Sequence, residues 1–131
     1  MIKKRRRYYR GRRVSKGEMA IAKYFDKCGI PYTQEKTFKE CVNSRGNYLR
    51  YDFYLEQYNL LIEYQGPHHE KPINKYRRAR IAHEKTVIHD VIKANFAEQQ
   101  QINLLKIDWK DFNKLAVILD QLIKDIKKYF E

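Results

Sequence analysis

Two acidic residues in this sequence stand where acids are least expected. Asp52 lies within Leu49-Arg50-Tyr51-Asp52-Phe53-Tyr54, and Glu63 lies within Leu60-Leu61-Ile62-Glu63-Tyr64-Gln65. Both stretches read as β-strands. Asp is depleted in strands, and an acid in an apolar strand has to be paired, hydrogen-bonded or metal-bound. A turn near residues 56–59 would set the two strands side by side and bring both carboxylates to one place on a sheet. A small set of hard oxygen ligands suits Mg²⁺, with Mn²⁺ as a substitute, because Mg²⁺ keeps several waters and completes its shell from phosphate. Such an ion polarises a phosphodiester, stabilises the leaving oxygen and lowers the pKa of an attacking water. Gly66-Pro67-His68-His69 follows the second strand directly. A turn there holds an imidazole near the acids, and histidine serves as a general base close to neutral pH. Asp90 and Lys93, at i and i+3, share one face of a later helix. Lys93 suits the charge that builds on phosphorus, and Asp90 suits orienting a histidine or joining the ion site.

Each of these residues also has a plainer reading. Asp52 could pair with Arg50 or Arg45, and Glu63 with a basic neighbour in the sheet. Asp90 and Lys93 could form an ordinary helix salt bridge. His83 and His89 read as surface or packing residues.

The elements that must position the site follow from local signals. Ser15-Lys16-Gly17-Glu18 is a capping box that starts a helix running to about Cys28, with Gly29 and Pro31 ending it. Extended segments are expected over 32–38, 48–55, 60–65 and 102–108, with loops at 43–47 and 57–59. Residues 70–85 read as a basic loop running into a helix over 86–100, with Val87, Val91, Ala94 and Phe96 inward. Asp111 to Phe130 reads as an amphipathic last helix, whose apolar stripe of Leu115, Ile118, Leu119, Leu122, Ile123, Ile126 and Phe130 is core or a homodimer surface. The order helix, three strands, helix, strand, helix predicts an α/β fold, a mixed central sheet flanked by helices.

Charge points to the partner. The chain of 131 residues has a net charge of +12. Much of that excess sits in a basic N-terminal arm over residues 1–14, ahead of a single domain over 15–131. The arm carries Lys3, Lys4, Arg5, Arg6, Arg7, Arg10, Arg12 and Arg13 with no acid among them. A second basic group, Lys75, Arg77, Arg78 and Arg80, lies in the stretch before the later helix. Both groups suit contact with a phosphate backbone, DNA in the first instance. No apolar run approaches the length of a membrane span. Cys28 and Cys41 have no metal-ligand spacing. A soluble, cytoplasmic protein is the expectation.

The ordered set resembles the EDxHD nucleases, a branch of the PD-(D/E)XK superfamily close to the very-short-patch repair endonucleases and including phage homing endonucleases. It consists of Glu18 on a first helix, Asp52 in a strand, Glu63-x-x-Gly66-x-x-His69 ending a second strand, and Asp90-x-x-Lys93 on a later helix. The resemblance spans residues 15 to about 108. It implies a restriction-endonuclease-like fold and a Mg²⁺-dependent DNA endonuclease of the small homing type. A structure-selective junction or repair nuclease, and a non-catalytic nucleic-acid-binding module, are the alternatives. It also implies roles: Asp52 as principal metal ligand, Glu63 beside the ion, His69 as general base, Asp90 as the final acid, and Glu18 orienting water or an outer group. Two positions depart from the pattern. Tyr51 stands where the superfamily often has Pro, and Gln65 stands where the wider superfamily has Lys and many close relatives have Asp. The missing positive charge then falls to Lys93, to His69, or to the metal alone, and His68 is an alternative to His69.

Overall fold

The computed structural model describes residues 8–9, 12–67 and 75–130, with side chains from residue 14 onward. Along the chain run β1 (Tyr8–Tyr9), β2 (Arg12–Arg13), α1 (Lys16–Cys28), β3 (Thr33–Val42), β4 (Tyr48–Leu55), β5 (Leu60–Gln65), α2 (Arg77–Gln99), β6 (Asn103–Asp108) and α3 (Leu115–Phe130), with 3₁₀ turns at Glu56–Tyr58 and Trp109–Lys114. The class is mixed α/β. Met1–Pro31 with Lys110–Glu131 forms one compact unit, and Tyr32–Trp109 forms the other. No helix among the described residues is long and apolar enough to cross a membrane.

The first unit is built on α1 and α3. Ser15 caps α1, its hydroxyl oxygen accepting the Glu18 N–H at 3.1 Å. Ile21 and Phe25 form the buried stripe of α1, and Leu115, Leu119 and Ile126 that of α3. The two helices meet where the Tyr24 hydroxyl donates to the Asp120 carboxylate. Gly29 ends α1 at φ 67°, while the Ile30 N–H reaches back to the Phe25 carbonyl at 2.9 Å. A Cβ on Gly29 would meet nothing within 4 Å, so its requirement is purely one of backbone conformation. Gly29→Ala should therefore lower stability by about 1 kcal/mol, the cost of an L-residue in the left-handed region, read from the urea midpoint.

The second unit is a four-stranded sheet in the order β3-β4-β5-β6, with α2 packed on one face. β3, β4 and β5 are antiparallel, and β5 and β6 run parallel. A parallel pair needs a long crossover, which here includes α2. Two local structures shape the turns between the antiparallel strands. Between β3 and β4, the Asn43 side-chain oxygen accepts the N–H groups of Arg45 and Asn47 at 2.9 and 3.0 Å, and Gly46 takes φ 81°. Between β4 and β5, Asn59 takes φ 51° after the 3₁₀ turn. Leu49, Tyr51, Phe53 and Leu55 of β4 are buried, whereas Tyr48, Arg50, Asp52 and Tyr54 are more exposed. β5 is covered from Leu60 through Glu63. Beneath α2, Cys41, Leu49, Tyr51, Leu61, Phe96 and Ala97 form the core.

Three expectations are corrected. The helix α2 begins at Arg77 rather than Thr86, so the basic residues that read as a loop form its first turns. Val87 and Val91 point outward, at 41% and 54% exposure, whereas Ile92, Phe96 and Ala97 face the sheet. The last α-helix begins at Leu115 after a 3₁₀ segment, and Phe130 is exposed. In addition, β3 extends four residues past Phe38.

Candidate active site

The β4–β5 ladder pairs Leu55 with Leu60, Tyr54 with Leu61 and Phe53 with Ile62. Continued by one step, that register sets Asp52 opposite Glu63. Here side chains take over from backbone. The Asp52 N–H donates to Glu63 Oε2 at 3.1 Å, and the Tyr64 N–H donates to Asp52 Oδ2 at 2.7 Å. Each carboxylate is thus inserted between the strands and anchored by a backbone amide of the other. The pleat also breaks at this level. Strict alternation would put Tyr51 and Tyr54 on opposite faces, yet both rings meet Phe38, with centroids 5.7 and 5.6 Å away. Glu35 of the neighbouring strand, between the partners of Tyr51 and Phe53, takes φ 58°. Its buried carboxylate pairs with Arg50 at 3.8 Å.

Like charges opposed across a ladder destabilise a sheet, so the Asp52–Glu63 arrangement needs compensation. Part of it comes from α2. Lys93 extends to Glu63 Oε1 and forms an ion pair, the two side chains being only 12% and 8% exposed. Its Nζ stands 5.0 Å from the Tyr51 ring centroid. The Tyr51 hydroxyl donates to the Lys93 carbonyl at 2.6 Å and lies 3.7 Å from Cys41 Sγ. Burial, above all, raises the pKa of this phenol well beyond its ordinary value, so it remains a neutral donor. Burial likewise raises the Cys41 thiol.

The structure brings Asp52, Glu63 and Lys93 together. Asp90 lies one turn before Lys93 on α2 and is half-buried. Glu18 belongs to the other compact unit, where it is buried beside its cap. Arg77, Arg78 and Arg80 are exposed at the start of α2, and Lys75 is exposed just before it. His68, His69, Lys3, Lys4, Arg5, Arg6, Arg7 and Arg10 lie outside the described residues, as do the side chains of Arg12 and Arg13. Two residues that sequence reasoning passed over also belong to this region. Parallel pairing sets Lys106 beside Glu63 and Asp108 beside Gln65. The signal for both was available, since charged residues alternate with apolar ones at the end of β6.

Among the described residues, no group of three or more His, Cys, Asp or Glu is gathered so as to hold a metal ion. Mg²⁺ asks for less: one or two carboxylates, with water and phosphate supplying the rest. Each carboxylate oxygen has two acceptor lone pairs, and a single amide hydrogen bond uses one. By donor type, Asp52 and Glu63 are hard oxygen ligands of the kind such a cation takes. Comparison with protein-family models, curated proteins and solved structures finds no match for the chain.

Proposed function

We propose that this protein is a Mg²⁺-dependent endonuclease that hydrolyses phosphodiester bonds of DNA on a restriction-endonuclease-like core, of the small homing type that the sequence resemblance implies. One observation carries the reading: two carboxylates face each other within a sheet where backbone pairing gives way, and a nearly buried lysine stands against one of them. Asp52 and Glu63 would hold the cation. When bound, it would polarise the phosphodiester and ease deprotonation of the attacking water. Lys93 brings a positive charge to the place where negative charge grows on phosphorus, in surroundings that screen it less than water does. His69 takes the proton in this reading.

The basic start of α2 supplies the grip. Cations in the first turn oppose the helix dipole, so Arg77, Arg78 and Arg80 are poorly placed for helix stability. The same concentration of positive charge and helix N–H groups suits a phosphate. Replacing all three by Ala should weaken DNA binding and flatten the plot of log K against log salt, by about 0.9 for each phosphate that is no longer neutralised. An unchanged slope would remove α2 from the interface.

The direct test is cleavage of supercoiled and linear DNA by purified protein across a Mg²⁺ titration. Nicking or cutting should appear with Mg²⁺ or Mn²⁺ and vanish with EDTA. Salt-dependent binding with no cleavage of duplex, mismatched or junction DNA under any divalent ion would overturn the proposal.

A further inference from the structure

Lys93 is held at its ammonium and at its backbone carbonyl, and a single neighbour supplies two of the holds. The ion pair with Glu63 fixes only the ammonium tip. A lysine stem has four rotatable bonds, and holding it in one geometry opposes roughly 2 kcal/mol of rotamer entropy. Tyr51 acts at both ends of that stem. Its hydroxyl bonds the Lys93 backbone carbonyl at 2.6 Å, and its ring lies under Nζ at 5.0 Å from the centroid, within the range of cation–π attraction. The hydroxyl ties α2 to β4, which sets how far the lysine has to reach. The ring sets where the charge comes to rest.

A fully buried phenol needs an acceptor for its hydroxyl in any case, so it is the ring set under the ammonium that goes beyond core filling. Tyr51 is fully buried and already packs against Phe38. It is also next in sequence to Asp52, so one backbone segment carries both an acid of the pair and the support for the lysine that faces its partner.

We infer that Tyr51 is the positioning residue of this site: it holds the Lys93 ammonium against Glu63 at the place where the scissile phosphate is bound. The inference rests on the nuclease reading above. Tyr51 touches no reacting atom and acts through Lys93.

A double-mutant cycle separates this role from a general contribution to folding. Cleavage by wild type, Tyr51→Phe, Lys93→Ala and the double variant is timed in single turnover, with KM and the melting temperature measured alongside. Phe keeps the ring and volume and loses only the hydroxyl. In the wild-type background Tyr51→Phe should lower kcat about tenfold, leave KM unchanged and leave the protein folded. In the Lys93→Ala background the same change should cost less than about twofold, because the group it serves is gone. An equal loss in both backgrounds, or no loss in either, overturns the inference while the nuclease reading stands. If wild type cuts no DNA, the nuclease reading fails, and the positioning role falls with it. Should Lys93→Ala cut too slowly to time, NMR of the lysine side chain decides. The Lys93 ε-methylene protons should be shifted upfield by the ring in wild type, less so in Tyr51→Phe, where the hydroxyl tie is gone, and return to ordinary values in Tyr51→Leu. Protons at ordinary values in wild type refute the placement.

Discussion

Asp52→Asn should abolish DNA cleavage, with a loss of about a thousandfold or more, while the protein stays folded and still binds DNA. The substitution is nearly isosteric, and its effect on structure follows from the hydrogen bonds. The Asp52 carboxylate accepts the Tyr64 N–H at 2.7 Å. The amide oxygen of Asn accepts the same bond, so the insertion of this side chain between β4 and β5 survives. Removing one of two opposed negative charges also relieves repulsion with Glu63, and the melting temperature should hold or rise. What disappears is an anionic ligand for a divalent ion. Loss of an interaction made mainly in the transition state lowers kcat and kcat/KM together. Binding, carried by cations elsewhere, should keep its affinity at fixed salt. A thermal-shift titration gives a second readout. Mg²⁺ should stabilise wild type by mass action and leave Asp52→Asn unmoved. An Asp52→Asn protein that cuts at the wild-type rate would show that the carboxylate pair is structural.

The parts of this site visible in the sequence were those set by short-range rules. A charge inside an apolar strand is conspicuous in any single chain. A turn of a few residues fixes the β4–β5 register, so the meeting of Asp52 with Glu63 was readable, whereas the break in the pleat at Asp52 was not. The reach of Lys93 was not. It depends on how the crossover lays α2 across the sheet, and no periodicity encodes that. The periodicity of α2 misled as well. Val87, Ile88 and Val91 are apolar on the outward side, while Ile92, Phe96 and Ala97 are apolar on the inward side. A helix with apolar residues on both sides shows no clear stripe, and a basic first turn looks like loop. The start of α3 failed for a related reason, because the apolar spacing after Asp111 passes through a 3₁₀ segment without a break. The role of Tyr51 was not readable either, because its hydroxyl bonds a carbonyl 42 residues away. Gln65 and Tyr51, the two departures from the resembled pattern, thereby acquire a common account. On the proposed reading, the charge absent at Gln65 is supplied from α2 by Lys93, which pairs with Glu63, and Tyr51 positions it.

Glu63→Gln should be costly in both stability and activity, which distinguishes it from Asp52→Asn. Glu63 Oε2 accepts the Asp52 N–H at 3.1 Å, and a glutamine oxygen can keep that bond. The other end of the new amide is then an NH₂ group facing the Lys93 ammonium, a donor against a donor. Lys93, with a side chain 12% exposed, loses its counter-charge without regaining water. Breaking a buried pair from one side costs about 3 kcal/mol, because the remaining charge is left uncompensated. For a chain of this size, that corresponds to a fall in melting temperature of roughly 10 °C. Removing both charges should undo most of the damage. Glu63→Gln with Lys93→Met places a neutral, flexible side chain of similar length over the Tyr51 ring, and replacement of a whole buried pair is often neutral or stabilising. The double variant should therefore melt near wild type and remain unable to cut DNA. That combination, stability restored and activity not, is the signature of a pair kept for chemistry at the expense of the fold. If Glu63→Gln melts with wild type, the pair is not a buried one. If the double variant cleaves, neither charge takes part in the reaction.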